Sequence, residues 1–382
     1  MQQTYNHANE RTKKQIKIAH LSSVHGDRDV RIFLKECTSL AKGIENSSVH
    51  LVLAGVEERV EADVHIHSIS KTKGARLKRM WSTVNQLFSK AISLDADIYH
   101  LHDPELLRLA LKLKRRGKIV IYDAHEDLPR QIMGKSYLPF KKLFSVFFER
   151  YENFIVKRID GVITATPYIA QRFKKINLNT VDINNYPLEA EIEFLSSDLR
   201  AKENKVCFIG GISAIRGIGQ LVDAMESTSL VLSLAGEIPQ EFKKELVVKK
   251  GWGNVEALGF INRTQALQLK QTCLAGIVTF LPYPNHINAQ PNKIFEYMAA
   301  GLPVIGSDFP LWKELIEQNN CGICVDPADT VAIANAINII ANNKDLAKVM
   351  GENGSRLVKE KYNWLHEEEK LISFYNELIR KA

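Results

Sequence analysis

The 382 residues predict an α/β protein built from two doubly wound, parallel-sheet domains. Three observations carry that expectation. Apolar runs of strand length alternate with helical stretches from Ile16 onward, the rhythm of a parallel sheet covered by helices. The length exceeds what one hydrophobic core usually fills. The rhythm then starts afresh at Lys205, after a stretch of turn residues without periodicity.

In the first half, Ile16–Leu21, Val49–Ala54, Val64–Ile69, Asp97–Leu101, Lys118–Tyr122 and Ile159–Thr164 read as buried strands. Phe33, Leu34, Cys37 and Leu40 recur at helical spacing, and another helix is expected from Pro104 to Arg116. Ligands on such sheets bind beyond the carboxyl ends of the strands. Three polar clusters fall there: His25, Asp27, Arg28 and Arg31; then His100, His102 and Asp103; then Asp123, His125, Glu126 and Asp127. Their corresponding positions predict one shared cleft. Histidine and aspartate also suit a metal, but these residues sit on separate loops without the paired spacing of a metal motif, so no metal site is expected.

Tyr137–Arg158 interleaves aromatic with basic residues, and Phe144, Phe147, Phe148, Tyr151 and Phe154 recur at helical spacing. That apolar face reads either as core or as an interfacial surface for anionic lipid. Lys71, Lys73, Arg76, Lys78, Arg79 and Trp81 form a second basic-aromatic stretch. Residues 1–190 hold 31 Lys and Arg against 21 Asp and Glu, a net +10, while the whole chain carries +7. The first half is therefore expected to meet something anionic. No nucleic-acid-binding signature accompanies the charge.

No run approaches the ~20 apolar residues of a membrane span. The N-terminus lacks the apolar core of a signal peptide, and five scattered cysteines argue for a reducing, cytoplasmic setting. The lone C-x-x-C from Cys321 to Cys324 has no second ligand pair and reads as two cysteines packed around a strand.

Thr180–Asp198 reads as a linker. From Lys205 a strand leads into Gly210-Gly211 and a helix; the glycines let backbone approach a phosphate, which Arg216 can grip as a fork. Leu230–Ala235, Val255–Leu258 and Ala275–Phe280 continue the sheet. Pro282–Trp312 is the most informative stretch. It reads as loop, helix, strand and loop, with Asn292 as helix N-cap, Gly301 as C-cap, Leu302–Ile305 as the strand and Ser307-Asp308 capping the next helix. Free N–H groups at the helix start and the Lys293 ammonium suit a phosphate, and Glu296, one turn on, suits the vicinal hydroxyls of a ribose. Together these describe a nucleotide; the plain alternative is an ordinary helix with a surface Lys and Glu.

The segment PNKIFEYMAAGLPVIGSD resembles the donor-site segment of the GT-B glycosyltransferases, in particular the retaining family 4, whose pattern E-x-M-A-x-G-x-P-V-I-x-S is matched from Glu296 to Ser307. The resemblance implies two Rossmann-like domains facing across a cleft: an acceptor domain over residues 1–185, a linker over 186–204, a nucleotide-sugar domain over 205–360, and a helix over 361–382 crossing back to the first domain. It implies that Glu296 binds the ribose, that Arg216 fills the slot of a diphosphate-binding base, and that Gly211, Asn292 and Lys293 join it. It further implies that the Gly259 backbone meets the nucleobase and that His125 borders the donor sugar. The family carries a second glutamate beside that sugar; its position is held here by Asn288, which is uncharged but still able to bond sugar hydroxyls.

The implied activity is metal-independent, cofactor-free, retaining transfer from a nucleotide sugar, expected to be a UDP-sugar, to a glycan acceptor. The acceptor is expected to be lipid-linked, in bacterial O-antigen or capsule-type synthesis, with the protein peripheral on the anionic inner face of the cell membrane. Asn288 leaves rivals open: an inverting transferase using Asp27 or Asp127 as base, a GT-B nucleotide-sugar epimerase, or a silent nucleotide-sugar-binding subunit of a membrane complex.

Overall fold

The run IKIAHL is apolar at nearly every position, which suits a strand covered on both faces. It forms β1 (Ile16–Leu21) near the centre of an eight-stranded sheet. The computed structural model describes residues 15–71, 76–134, 138–197 and 201–381. The remaining strands of the first sheet are β2 (Ser47–Ala54), β3 (Arg59–Glu61), β4 (Val64–Ile69), β5 (Ile98–Leu101), β6 (Ile119–Ala124), β7 (Gly161–Thr164) and β8 (Thr180–Asp182). They lie in the order β3-β4-β2-β1-β5-β6-β7-β8. All pairs are parallel except β3 with β4.

The second sheet contains β9 (Lys205–Ile209), β10 (Val231–Ala235), β11 (Val255–Gly259), β12 (Ala275–Val278), β13 (Val304–Ser307) and β14 (Gly322–Val325). Its order is β11-β10-β9-β12-β13-β14, parallel throughout. In both sheets the chain starts in the middle, builds outward on one side, then crosses to the other. Crevices therefore open beyond β1 and β5, and beyond β9 and β12, where neighbouring connections leave in opposite directions.

One face of the first sheet packs under helices contributing Val84, Leu87, Leu109, Leu113, Ile155 and Phe173. The other face is covered by Ile32, Phe33, Cys37 and Leu40 together with the C-terminal helix Trp364–Lys381, through Trp364, Leu371, Phe374, Tyr375 and Leu378. The return of that helix explains two glycines. A Cβ on Gly161 would lie 2.5 Å from Phe374 Cζ, and one on Gly43 2.2 Å from Ile372 Cδ1. Trp364 Nε1 also donates to Ser39 Oγ at 3.0 Å, and Glu367 accepts from the Asn184 backbone at 2.6 Å.

Several local expectations are corrected. The stretch read as linker contains β8 and a helix, Glu189–Ser197, whose Ile192 and Leu195 join the second core; Asp198 lies outside the described residues. The strand expected at Leu302–Ile305 runs instead over Val304–Ser307. Phe309 rather than Ser307-Asp308 is the N-cap of the next helix, and Ser307 Oγ donates to Phe280 O. The thiols of Cys321 and Cys324, which flank and enter β14, are pushed up by burial to about 11 and about 12, a direction that keeps them protonated and inert.

On the other side of the first sheet, β2 and β4 bring three histidines together. His50 pairs in register with His65, and its Nδ1 lies 2.9 Å from His67 Nε2. Burial, then His67 and His65, push His50 down to about 4. Above the ordinary value of 6.5 it is neutral folded or unfolded; as pH falls from there toward 4, only the unfolded chain gains the proton. Stability is expected to fall across that window by up to about 1.4 kcal/mol per pH unit from this residue. Thermal midpoints measured from pH 7 to 4 test this, and a His50→Gln variant should show a shallower decline.

Candidate active site

A cleft of about 500 Å³ lies between the two sheets' carboxyl ends. Its second-domain wall includes Arg216, Phe280, Asn288, Asn292 and Lys293; its first-domain wall includes Arg31, His125, Glu126, Asp127, Arg130, Thr166 and Tyr168.

The second-domain wall is built on β9, which ends in Gly210-Gly211. Gly210 has φ of +132°, and a Cβ there would lie 2.4 Å from Lys293 Nζ. A Cβ on Gly211 would lie 2.8 Å from Arg216 Nη1, which donates to Gly211 O at 2.9 Å. Two cations thus converge on bare backbone where any side chain would displace them. Lys293 opens the helix Asn292–Ala299 at its second residue. Pro291, not Asn292, is the N-cap and offers no side-chain acceptor, so Asn292 is the first helical residue. The helix start has no capping side chain, and its first residues Asn292 and Lys293 line the cleft.

Burial holds both cations below their ordinary values; for Lys293, Glu296 only partly offsets it. Lys293 has no ion pair or hydrogen bond among the described residues. Such desolvated, uncompensated positive charge favours an anion.

Glu296 is half-exposed, one helical turn on from Lys293. Its carboxylate accepts from Lys270 Nζ at 3.2 Å and does not line the cleft itself. Burial works against its ionisation, but Lys270 and Lys293 outweigh that and keep its value low. Lys270 is a partner the sequence reading missed, because it comes from a different helix, Arg263–Thr272.

Asn288 lies in the long loop after β12. That loop is pinned by the fully buried Trp312, whose Nε1 donates to Ala289 O at 2.7 Å. Gly259 ends β11 with φ of +66°, and its carbonyl accepts from Gly236 N at 2.7 Å. It does not line the cleft.

On the first domain the three polar clusters meet in part: Arg31, His102, Asp123 and His125 come together, but His25, Arg28, His100, His102 and Asp103 do not line the cleft. Arg31 grips Asp123 with two hydrogen bonds, Nε to Oδ2 at 2.9 Å and Nη2 to Oδ1 at 2.8 Å. Its remaining arm donates to Ile183 O. His125 Nε2 lies 2.8 Å from Asp123 Oδ2, and His102 Nδ1 lies 3.3 Å from both. Burial opposes ionisation of Asp123, but Arg31 and then His125 overcome it and hold the carboxyl well below the usual range. A carboxylate so fixed orients the His125 ring, with its other edge free to face the cleft.

Asp27 is not brought there: it pairs with Arg59 at 2.8 Å on the surface and does not line the cleft. A role as base therefore lacks geometry. Asp127 does line the cleft, between Arg130 at 3.6 Å and Arg172 at 3.8 Å.

The helix Lys141–Val156 turns most of its aromatic row outward rather than into the core. Only Ser145, Glu152, Ile155 and Val156 are buried, whereas Phe140 (77%), Leu143 (70%), Phe144 (51%) and Phe147 (69%) are exposed. Phe154 is exposed too, under the Arg158 guanidinium at 3.7 Å. Tyr151 and Phe148 are half-buried against the core. In the other basic-aromatic stretch, Trp81 is exposed beneath Arg108 at 4.0 Å. Lys73, the side chains of Arg76, Lys78 and Arg79, and Tyr137 lie outside the described residues.

Comparison with known proteins places the chain in a family. Residues 37–183 match the family model described as Glycosyltransferase Family 4, and residues 189–357 that of Glycosyl transferases group 1. The fold is that of sucrose-phosphate synthase from Thermosynechococcus elongatus, with a TM-score of 0.76 over 96% of this chain and 100% of that one at 17% identity. The chain belongs to the GT-B glycosyltransferases. This glycosyltransferase is also 26% identical to the O-antigen chain mannosyltransferase C of Escherichia coli, over 76% of its own length and 78% of the relative's. The Anabaena protein HepE, solved in complex with UDP-glucose, superposes with a TM-score of 0.70 over 95% of this chain and 100% of HepE at 15% identity.

Proposed function

We propose that this glycosyltransferase moves a sugar from a nucleoside-diphosphate sugar, of the UDP class, to a glycan acceptor in surface-polysaccharide synthesis. The observation that carries the proposal is the convergence of Lys293 and Arg216 on the Gly210-Gly211 backbone beside an uncapped helix start. That site supplies positive charge and N–H donors for a diphosphate and needs no metal there. Glu296, one turn along, takes the ribose hydroxyls, and Gly259 lies toward the base. His125 and Asn288, on opposite walls, contact the transferred sugar. As the glycosyl bond breaks, charge builds on the leaving phosphate, and the fixed cations stabilise it more in the transition state than in the ground state. The leaving phosphate lies on the face where the acceptor attacks, which favours retention. HepE's binding of UDP-glucose and the mannosyltransferase relative support the substrate class. The test is thermal stability against a panel of nucleoside diphosphates and their sugars. A true ligand at 100 times its Kd adds about 2.7 kcal/mol; a panel without any shift sinks the reading.

We further propose a lipid-linked acceptor reached at the anionic inner face of a membrane. No helix among the described residues is long and apolar enough to cross one. The exposed aromatic row on Lys141–Val156 adjoins the cleft directly: Ser145 Oγ donates to Pro129 O, and Arg130, a cleft residue, donates to Glu149 at 2.6 Å. Aromatics beside Lys142, Arg150 and Arg158 suit insertion among anionic headgroups. The full chain is expected to float with acidic vesicles at low salt, to leave them at high salt, and to ignore neutral ones. Phe144→Ser with Phe147→Ser should abolish flotation; a wild-type chain that stays in the soluble fraction on acidic vesicles points to a soluble acceptor.

A further inference from the structure

The first domain contains a second polar site that the transfer reaction leaves unused. His20 on β1, His100 on β5, His102 just beyond it, and Glu36 on the segment Ile32–Cys37 meet behind the cleft wall. Exposure is 0% for His20, Glu36 and His100 and 2% for His102. Sheet register makes His20 and His100 direct neighbours, and His102 lies two residues on, on the same face. Glu36 reaches them from the covering layer. One donor atom from each of the four lies within 4.8 Å of the others.

Buried polar atoms are normally hydrogen-bonded. Here both Glu36 oxygens, His20 Nε2 and His100 Nε2 have no hydrogen-bond partner among the described residues. The other ring atoms are occupied: His20 Nδ1 lies 2.9 Å from His102 Nε2, and His100 Nδ1 lies 2.9 Å from Tyr375 Oη. Arg31 does not complete the set. Its Nε is 3.0 Å from Glu36 Oε1, yet its hydrogen bonds go to Asp123 and Ile183 O.

We propose that His20, Glu36, His100 and His102 form a structural site for a divalent transition-metal ion of the zinc class. Three imidazoles and one carboxylate are a borderline donor set, which suits zinc and its neighbours better than magnesium or calcium. An ion at ~2.0–2.1 Å from each donor needs them roughly 3.3 Å apart, so closing the cage takes side-chain rotations and the release of His102 Nε2 from its 2.9 Å contact with His20 Nδ1. The neighbouring trio His102, Asp123 and His125 is a weaker candidate, since Asp123 is already engaged by Arg31 and His125. The ion ties β1, β5 and the Ile32–Cys37 segment together directly behind His125, which lies 3.3 Å from His102. It is distinct from the diphosphate site, and transfer chemistry does not pass through it.

The test uses the full chain made without a histidine tag and purified without chelator. Elemental analysis is expected to find roughly one zinc-class ion per chain. Chain unfolded with chelator and refolded with Co²⁺ should show visible ligand-field bands, and refolding without metal should lower the thermal midpoint. Glu36→Gln, which keeps the side chain's size, should lose the cobalt bands. A metal-free wild-type chain that refolds to the same midpoint with and without Zn²⁺, and gives no cobalt bands, overturns the proposal. So does metal retained unchanged in a folded Glu36→Gln and in a folded His100→Asn, which would place the ion elsewhere. If neither variant folds, the wild-type cobalt spectrum decides.

Discussion

Lys293→Ala is expected to lower kcat/KM by about 10²–10³-fold, the usual loss when one preorganised donor is removed from a developing anion. Lys293 lies against the Gly210 backbone and has no ion pair or hydrogen bond among the described residues, so its charge is available to a bound anion. Arg216 approaches the same backbone from the next residue along and should retain part of the binding. Affinity for a bare nucleoside diphosphate should fall by about 1.5–3 kcal/mol, as for a charged hydrogen bond. Stability should change little, since the half-buried Lys293 ammonium makes no ion pair or hydrogen bond among the described residues. Calorimetry with UDP and steady-state kinetics read the two effects. Unchanged nucleotide affinity in a folded variant would remove Lys293 from the diphosphate site.

Asp123→Ala should be the most damaging single substitution in the first domain. It strips the buried Arg31 guanidinium of both its carboxylate hydrogen bonds and leaves His125 without the acceptor that orients it. Breaking one side of a buried ion pair costs about 3–5 kcal/mol, visible as an earlier first transition in urea. Asp123→Asn separates fold from position. It keeps the shape and part of the hydrogen bonding, so the domain should remain folded. Its amide no longer offers a charged acceptor to His125, and kcat should drop more than KM changes. An Asp123→Asn enzyme with wild-type kcat would show that the dyad serves the fold alone.

Much of this protein was legible without coordinates. Strand positions in both domains follow from short apolar runs, because a strand buried on both faces has no other composition available. The helix proposed for the donor was legible because its chemistry is local: Asn292, Lys293 and Glu296 lie within two turns of one helix, and a helix start brings its own charge. That Arg31, His102, Asp123 and His125 come together also followed, since carboxyl ends of parallel strands share an edge, but His100 and Asp103 do not line the cleft.

Other features depend on residues far apart in sequence. That Glu296 is held by Lys270, or Asn288's loop by Trp312, is a contact between separate elements with no periodicity to announce it. Asp27 and Asp127 looked alike as acids at strand ends, yet packing sends one to Arg59 and the other into the cleft. The aromatic helix was undecidable from spacing, because the same face can meet core or solvent; only the placement of Ile155 and Val156 against the sheet turned Phe144 and Phe147 outward. The histidine cluster behind the cleft is the extreme case. His20, Glu36 and His100 carry no shared motif, and it is sheet register and one covering segment that bring their unpartnered atoms together. Sequence by itself determined the elements and the chemistry within each. Tertiary structure decided which side chains from different elements share one desolvated space, where a charge's neighbours set what it can do.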